Sequence, residues 1–447
     1  MITIDSRRCG AGKTHGKNGT IDMIKDNISV NENTLIVLPS IKLVEEYAKN
    51  FSRSYKITSE TSGISHNVQS QLQTAVSEMY DVVIITHAAF LHSEITPSLK
   101  RNYNLIIDEA FDPWRFHDYT QEKKDQIFDW NKLVYSNISF EEPEYSTVMF
   151  DDMLTNSVTQ NSTFIRDISS RNWVNYINTD ALNEMLNERQ FKINIIQELD
   201  PMLLSDWGSV HVACAKFEKT FMHMWFKKHK IKFTITEPFE KHTDTINIYY
   251  PDDGDGGWDW SRNKKTTMAW LHAEFKDHFS KVISDTEYLR LKNNADVRCS
   301  HFEKTCPHNA AGLNDYSDIK SVVLESALNP TPEMAKWLND IADTYLNNDD
   351  TAFSARTGYT YYQVLMRCCL RKNLPADVFV IDKRAVVELA DYFSNINLCE
   401  WKPITPRTYT PKPEPLTSAQ RVKAKRLKDR YPEKYAGLKS REILDSL

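Results

Sequence analysis

The N-terminal part of the chain alternates short apolar runs with segments whose apolar residues recur at helical spacing. MITID is a brief alternating stretch, readable as a strand, that runs straight into SRRCGAGKTHG. GTIDMIKDNI then has helical character. NTLIVLPS is a β-type apolar run stopping at Pro39, and IKLVEEYAKNF follows with apolar residues three and four apart. YDVVIITHAAFL repeats the arrangement with a strand ending at Thr86 and His87, and YNLIIDEAFD is a third such strand, ending in carboxylates. Strands alternating with helices imply a parallel sheet wrapped by helices. Ligands of such sheets collect at the carboxyl ends of the strands, where these polar residues fall.

From about Pro113 to Asp206 the alternation stops. This stretch is rich in Asn, Asp, Glu and aromatic residues, and DALNEMLNERQFKINIIQELDPMLL reads as a long amphipathic helix, so a mostly helical insertion is expected. The strand-helix rhythm returns at SVHVACAKFEKTFMHMWFKKH and IKFTITEP. DDGDGGWDW reads as a turn-rich loop, and a helix is expected from about Thr266 to His278. IKSVVLESALNPTP and ADVFVIDKRAVVELADYF are two more buried strands, each leading toward a helix. KPITPRTYTPKPEPLT is a proline-rich linker before a basic, partly helical tail. The expected units are 1–112, an insertion at 113–206, a return to the first domain at 207–225, a second domain at 226–402, and linker with tail at 403–447.

At 447 residues, the chain is long enough for two to four domains with sizeable cores. Its net charge of −6 means that any nucleic-acid contact must come from local basic surface. The seven cysteines are scattered and odd in number, which favours reduced thiols and an intracellular, cytoplasmic setting. MITIDSRRC has no long apolar region of the signal-peptide kind, and no run approaches a membrane span of about 20 apolar residues.

Three of the twelve glycines lie between Gly10 and Gly16, a concentration that needs a backbone reason. N–H groups of a glycine loop running into a helix N-terminus make an anion site. Gly10 and Gly12 allow a tight turn close to phosphates, Lys13 would reach the β- and γ-phosphates, and the Thr14 hydroxyl would bind Mg²⁺. Arg7 stands where the full consensus has its first glycine. LIIDEAF supplies the complement: Asp108 to hold Mg²⁺, directly or through water, and Glu109 to polarise the attacking water. A glycine turn beside an acidic helix start is the plainer reading of either segment alone; together, each at a strand end, they point to a nucleoside triphosphate, ATP, with Mg²⁺.

In the order of these segments the chain resembles a divergent superfamily 2 helicase of the DEAD/DEAH kind. GAGKT is similar to motif I and DEAF to motif II, while LPSIKLVEEY, with Pro39, Ser40 and Leu43, is similar to motif Ia. IITHAAF resembles motif Ib, and Ala213, Cys214 and Ala215 stand where motif III has its Ser-Ala-Thr hydroxyls. AAGLNDYSDIKSVVL resembles motif V through Gly312, Asn314 and Asp315. YYQVLMRCCLRK resembles motif VI, with Gln363 and Arg367 at the family's separation and Arg371 one residue late. On one helix those three positions would share a face. EYLRLKNNADV occupies the place of motif IV without matching it.

The resemblance covers about residues 1–110 and 208–395. It implies an α/β fold of two RecA-like domains with parallel sheets and ATP between them. Gly312 and Asp315 would join the nucleotide site, and Gln363, Arg367 and Arg371 would complete it from the second domain. It also implies ATP-driven movement along nucleic acid, DNA ahead of RNA, with Pro39, Ser40, Thr86, His87 and Asn314 touching the strand. Arg421, Lys423, Lys425, Arg426, Lys428 and Arg430 form a basic cluster suited to phosphates. The insertion or the tail would offer a surface to a replication or repair protein. Two alternatives stand: a viral packaging-type ATPase with a nuclease, for which FVIDK offers only Asp382, and an ATP-switched replication or initiator module that does not unwind. The Asn- and Tyr-rich composition suggests a phage or mobile-element origin. Cys299, His301, Cys306 and His308 are four potential zinc ligands, but their spacing fits a strand and loop better than a finger.

Overall fold

The computed structural model describes residues 1–58, 68–120, 145–148, 171–186, 192–251, 287–291, 303–307, 310, 315–324, 334–335, 337–338, 354–380, 383–401, 425 and 428. Two units are distinguished, Met1–Lys402 and Pro403–Leu447. In the second, Lys425 and Lys428 are helical and exposed; Arg421, Lys423, Arg426 and Arg430 lie outside the described residues.

The first unit opens with β1 (Ile2–Asp5), α1 (Thr20–Ser29), β2 (Asn33–Leu38), α2 (Ile41–Ala48), β3 (Ser54–Ile57), α3 (Val68–Ser77), β4 (Val82–Thr86), α4 (His87–His92), α5 (Pro97–Asn102) and β5 (Tyr103–Asp108). An inserted region follows with β6 (Trp114–Thr120), β7 (Tyr145–Val148), β8 (Trp173–Asn178), α6 (Thr179–Leu186) and β9 (Lys192–Leu199). Next come β10 (Val210–Ala213), α7 (Phe221–Lys228) and β11 (Phe233–Glu237). The remainder holds β12 (His242–Pro251), β13 (Tyr288–Leu291), β14 (Glu303–Cys306), β15 (Ser321–Leu324), α8 (Tyr359–Leu365), β16 (Ala376–Val380), α9 (Lys383–Ala390) and β17 (Phe393–Trp401).

These elements form two RecA-like α/β domains. The first has a seven-stranded sheet in the order β11-β1-β10-β5-β2-β4-β3, every pair parallel. The second has a six-stranded sheet in the order β14-β13-β15-β16-β12-β17, again parallel throughout. Parallel strands are buried on both faces and so read as continuous apolar runs; all six residues of β5 are buried, as are five of the six in β2. Register aligns Asp5 with Ala213 and Ala213 with Asp108, so three strands end in one row.

Two expectations are corrected. The described part of the insertion is a four-stranded antiparallel sheet, β6-β9-β8-β7, with α6 as its short helix, not a mostly helical unit. The stretch read as one long helix gives α6 and then β9, because KINIIQEL is Ile-rich and buries both faces of a strand. The first domain also extends past residue 225: α7 runs to Lys228, and β11 pairs with β1 at the edge of the first sheet. A segment from the second half returns to the first core, where Met334, Trp337, Leu338 and Ala355 are buried.

Candidate nucleotide site

The loop after β1 has the backbone expected of a phosphate-binding turn. Gly10 and Gly12 have φ of +81° and +79°, which L side chains rarely adopt. A Cβ on Gly12 would also meet the Gly16 Cα at 3.0 Å. Lys13 is buried, its Nζ donating to the carbonyls of Arg7 at 2.8 Å and Arg8 at 3.3 Å. The missing first glycine is accounted for here. Arg7 folds back on Asp5 with Nε at 2.9 Å and Nη2 at 2.6 Å from the two carboxylate oxygens. A planar fork on a buried carboxylate fixes the loop's first residue at the strand end. That hydrogen bond, outweighing the burial, raises the Arg7 pKa.

The loop does not run directly into a helix as expected. Turns follow Thr14, and α1 starts at Thr20, whose N–H donates to the Lys13 carbonyl at 2.7 Å. The helix N-terminus therefore lies six residues past Thr14 in the chain, with the HGKNG turn between.

At the end of β5, Asp108 is buried, and its pKa is pushed up to about 7 by that burial and by the Glu109 charge, against the pull of Lys13, Tyr47 and Arg367. Tyr47 on α2 donates to Asp108 Oδ2 at 3.3 Å and shares a 2.8 Å hydrogen bond with the Thr20 hydroxyl. The Thr14 hydroxyl lies within reach of the same phenol. Thr14 and Asp108 thus offer hard oxygen donors around one point, and this donor set fits Mg²⁺. Among the described residues no group of three or more His, Cys, Asp or Glu gathers as a metal site. Cys306 is buried in β14; Cys299, His301 and His308 lie outside the described residues.

Glu109 has φ of +66°, a strained conformation for a non-glycine residue of the kind that collects at functional sites. Its N–H donates to the Ala213 carbonyl at 2.9 Å. Across the cleft, Tyr359 Oη donates to Glu109 Oε2 at 3.1 Å and Gln363 Nε2 donates to the same oxygen at 3.2 Å. Arg367, buried, donates from Nη2 to Gln363 Oε1 at 3.3 Å, and its charge is felt at Asp108. Tyr362 Oη accepts the Cys9 N–H at 2.8 Å, so the second domain also touches the phosphate loop.

Gln363, Arg367 and Arg371 do not share one helix. The helix α8 ends at Leu365, Arg367 sits in the following turn, and the exposed Arg371 lies on a separate 3₁₀ turn, Cys369–Lys372. Buried Cys368 and Cys369 drive this break by turning the chain back into the second core. Asp315 is exposed and pairs with Lys42 of α2 at 3.5 Å; Gly312 and Asn314 lie outside the described residues. The Thr86 hydroxyl accepts the Ala89 N–H at 3.2 Å, and the Ser40 hydroxyl accepts the Leu43 N–H at 3.4 Å, so both cap helices. His87, held neutral by burial with a pKa of about 4, donates from Nε2 to the Asp108 carbonyl at 3.0 Å. Pro39 follows β2 directly and is partly exposed.

Tyr47 and Tyr359 carried no signal of their own in the sequence. Each is one tyrosine among twenty, set apart only by a partner 61 or 250 residues distant.

Residues 1–118 match the family model described as Flavivirus DEAD domain. This bears out the resemblance of that segment to a divergent DEAD-type helicase domain and gives a phage origin no support. Among solved structures, an XPD helicase aligns at 12% identity over 90% of this chain and 96% of its own, with a TM-score of 0.48. The S. cerevisiae protein Dbp5 bound to RNA and ADP BeF3 aligns at 10% identity over 90% of this chain and 85% of its own, with a TM-score of 0.38. Mycobacterium smegmatis helicase Lhr bound to ssDNA and AMP-PNP aligns at 10% identity over 89% of this chain and 47% of its own, with a TM-score of 0.36. No curated protein matches. Among the described residues no helix is long and apolar enough to cross a membrane.

Proposed function

We propose that the chain is an ATP-hydrolysing motor that moves along or unwinds nucleic acid, with DNA favoured over RNA. The observation that carries this reading is the junction at Glu109. The first domain supplies Lys13, Thr14, Asp108 and Glu109, and the second reaches Glu109 through Tyr359 and Gln363. A site split between two domains ties hydrolysis to their relative motion.

In this reading the loop N–H groups and Lys13 bind the β- and γ-phosphates, Lys13 exchanging its loop carbonyls for phosphate oxygens. Bound Mg²⁺, held by Thr14 and Asp108, supplies neutralisation of charge on those oxygens. Glu109 orients the attacking water and accepts its proton. Arg367 brings positive charge toward the transferred phosphoryl group, with Arg371 further out, and Gly312 and Asp315 border the nucleotide. The strand would cross Pro39, Ser40, Thr86, His87 and Asn314, with the cluster Arg421, Lys423, Lys425 and Arg426 adding salt-dependent affinity. The insertion or tail would dock a replication or repair protein.

The decisive measurement is steady-state ATP hydrolysis with and without single-stranded DNA, duplex DNA and RNA, beside Glu109→Gln. Stimulation by one nucleic acid, lost in the variant, is expected and names the track. Hydrolysis indifferent to all three would remove the motor and leave an ATP-operated switch.

A further inference from the structure

Tyr359 is the residue at this junction that no motif accounts for. It begins α8 and packs against the first core, while its hydroxyl meets three groups at once. It donates to Glu109 Oε2 at 3.1 Å, accepts from Gln363 Nε2 at 2.9 Å, and lies 3.2 Å from Cys214 Sγ. One donor and two acceptor sites are what a phenol has, so the hydroxyl is fully used. Burial first, then the neighbouring Cys214 and Glu109, raises its pKa, which keeps the proton on the oxygen at neutral pH.

Two features show what this contact does. Among the described residues, the hydrogen bonds recorded to the Glu109 carboxylate come from Tyr359 and Gln363, both in the second domain. On the first-domain side, the strand beside β5 ends in Ala213 and leads into Cys214 and Ala215, all buried and none with a hydroxyl. A thiol is a weak donor, and the high pKa that burial imposes on Cys214 keeps it a neutral one.

We propose that the Tyr359 hydroxyl is the positioning group for Glu109, supplied by the second domain where the strand beside Glu109 offers only a thiol. Water activation then requires the two domains to be in contact. Apart from them, Glu109 loses both donors and its strained backbone leaves the carboxylate unaimed. This rests on the hydrolase reading above and adds a residue and a condition to it.

The test uses the full chain with three variants, Tyr359→Phe, Cys214→Ser and the double variant, each checked for cooperative unfolding. Tyr359→Phe is expected to lower kcat about tenfold, the size of one lost hydrogen bond to a charged group, with KM for ATP unchanged. The Ser hydroxyl in the double variant takes the place of the Cys214 Sγ, 3.2 Å from the oxygen that Phe removes, and is expected to recover at least about threefold of that loss by returning a donor next to the vacated position. A kcat for Tyr359→Phe within about twofold of the unsubstituted chain, or a loss confined to KM, would overturn the proposal. So would a double variant no faster than Tyr359→Phe, since a hydroxyl at position 214 makes up for a lost donor but not for a tyrosine that only fills space. Failure of the hydrolase reading looks different, because the unsubstituted chain itself would then turn over no ATP.

Discussion

The first parallel sheet and the inserted antiparallel sheet share one hydrophobic core but are built on opposite rules. In the parallel sheet, apolar runs are buried on both faces, and the chemistry is pushed to the strand ends, at Asp5, Asp108 and Glu109. In the inserted sheet the strands carry buried polar residues along their length. Gln197, Glu198 and Asn175 are each 4% exposed or less, and so must be satisfied by one another and by neighbours. Gln197 Nε2 donates to Asn175 at 2.7 Å and shares a 2.7 Å bond with His117, while Glu198 takes Trp114 Nε1, Lys228 and His229. One sheet gathers its polar groups at the strand ends, where the proposed nucleotide would bind; the other spends them on its own architecture. Substitutions in the two sheets should therefore fail differently, in activity for the first and in stability for the second.

The largest effect is expected at Trp337. It is fully buried against Trp114, Phe116 and Tyr176 of the inserted sheet, with ring centroids 5.7, 5.9 and 6.1 Å away, and Lys228 lies over its face at 5.5 Å. Trp337→Ala should cost about 3–5 kcal/mol of stability, read as a shift in the denaturant midpoint. A loss under about 1 kcal/mol would mean that this segment does not anchor the inserted sheet.

Lys13→Ala tests the other side of the comparison. Hydrolysis should fall by roughly 10²–10³ with the melting temperature nearly unchanged, because in the proposed site the lost cation faces developing phosphate charge. A variant that instead unfolds early would show that Lys13 serves the loop through the Arg7 and Arg8 carbonyls more than the phosphates.

Glu198 gives a pH-dependent version of the contrast. Burial alone would raise its pKa, but the hydrogen bond from His229 and the charge and hydrogen bond of Lys228 outweigh it and leave it below the ordinary value of 4.5. A carboxylate whose folded pKa is depressed contributes stability that is fully present above its unfolded value and lost as pH falls through the folded one. Glu198→Gln should thus cost about 2 kcal/mol at neutral pH, and the gap to the unsubstituted chain should close on acidification below about pH 4.5. A gap constant with pH would show that the ion pair with Lys228 is not what the glutamate contributes.

The same contrast decides how much could be read from the sequence. β1, β2, β4 and β5 were legible because a parallel strand is a compact apolar run, and Lys13, Thr14, Asp108 and Glu109 stood beside such runs. The inserted sheet was not, because β9 follows α6 within a few residues and the apolar positions of the pair satisfy a helical period when read as one. The placement of β11 was missed for another reason: which strand it pairs with depends on a contact more than 200 residues away. The break after Leu365 was hidden likewise, since Cys368 and Cys369 are as compatible with a helix as with the turn that buries them. Local pattern reports burial; it does not report partners.

Tyr47 is the smallest test and the one that probes the join between the two halves of the proposed nucleotide site. Its phenol, kept protonated by burial, donates to Asp108 at 3.3 Å and is bonded to Thr20 at 2.8 Å, so it ties α2 to the strand end and to the start of α1. The same helix carries Lys42, paired with Asp315 across the cleft. Tyr47→Phe keeps the ring and removes only the hydroxyl, which should cost about 1 kcal/mol. On the proposal that Asp108 holds Mg²⁺, an outer-shell donor fixes the orientation of that carboxylate, so the cost should appear as a Mg²⁺ midpoint for hydrolysis raised by about tenfold. At saturating Mg²⁺, kcat should return to the unsubstituted value. If kcat stays low at every Mg²⁺ concentration, Tyr47 acts on the chemistry itself, and α2 belongs to the catalytic apparatus rather than to its support.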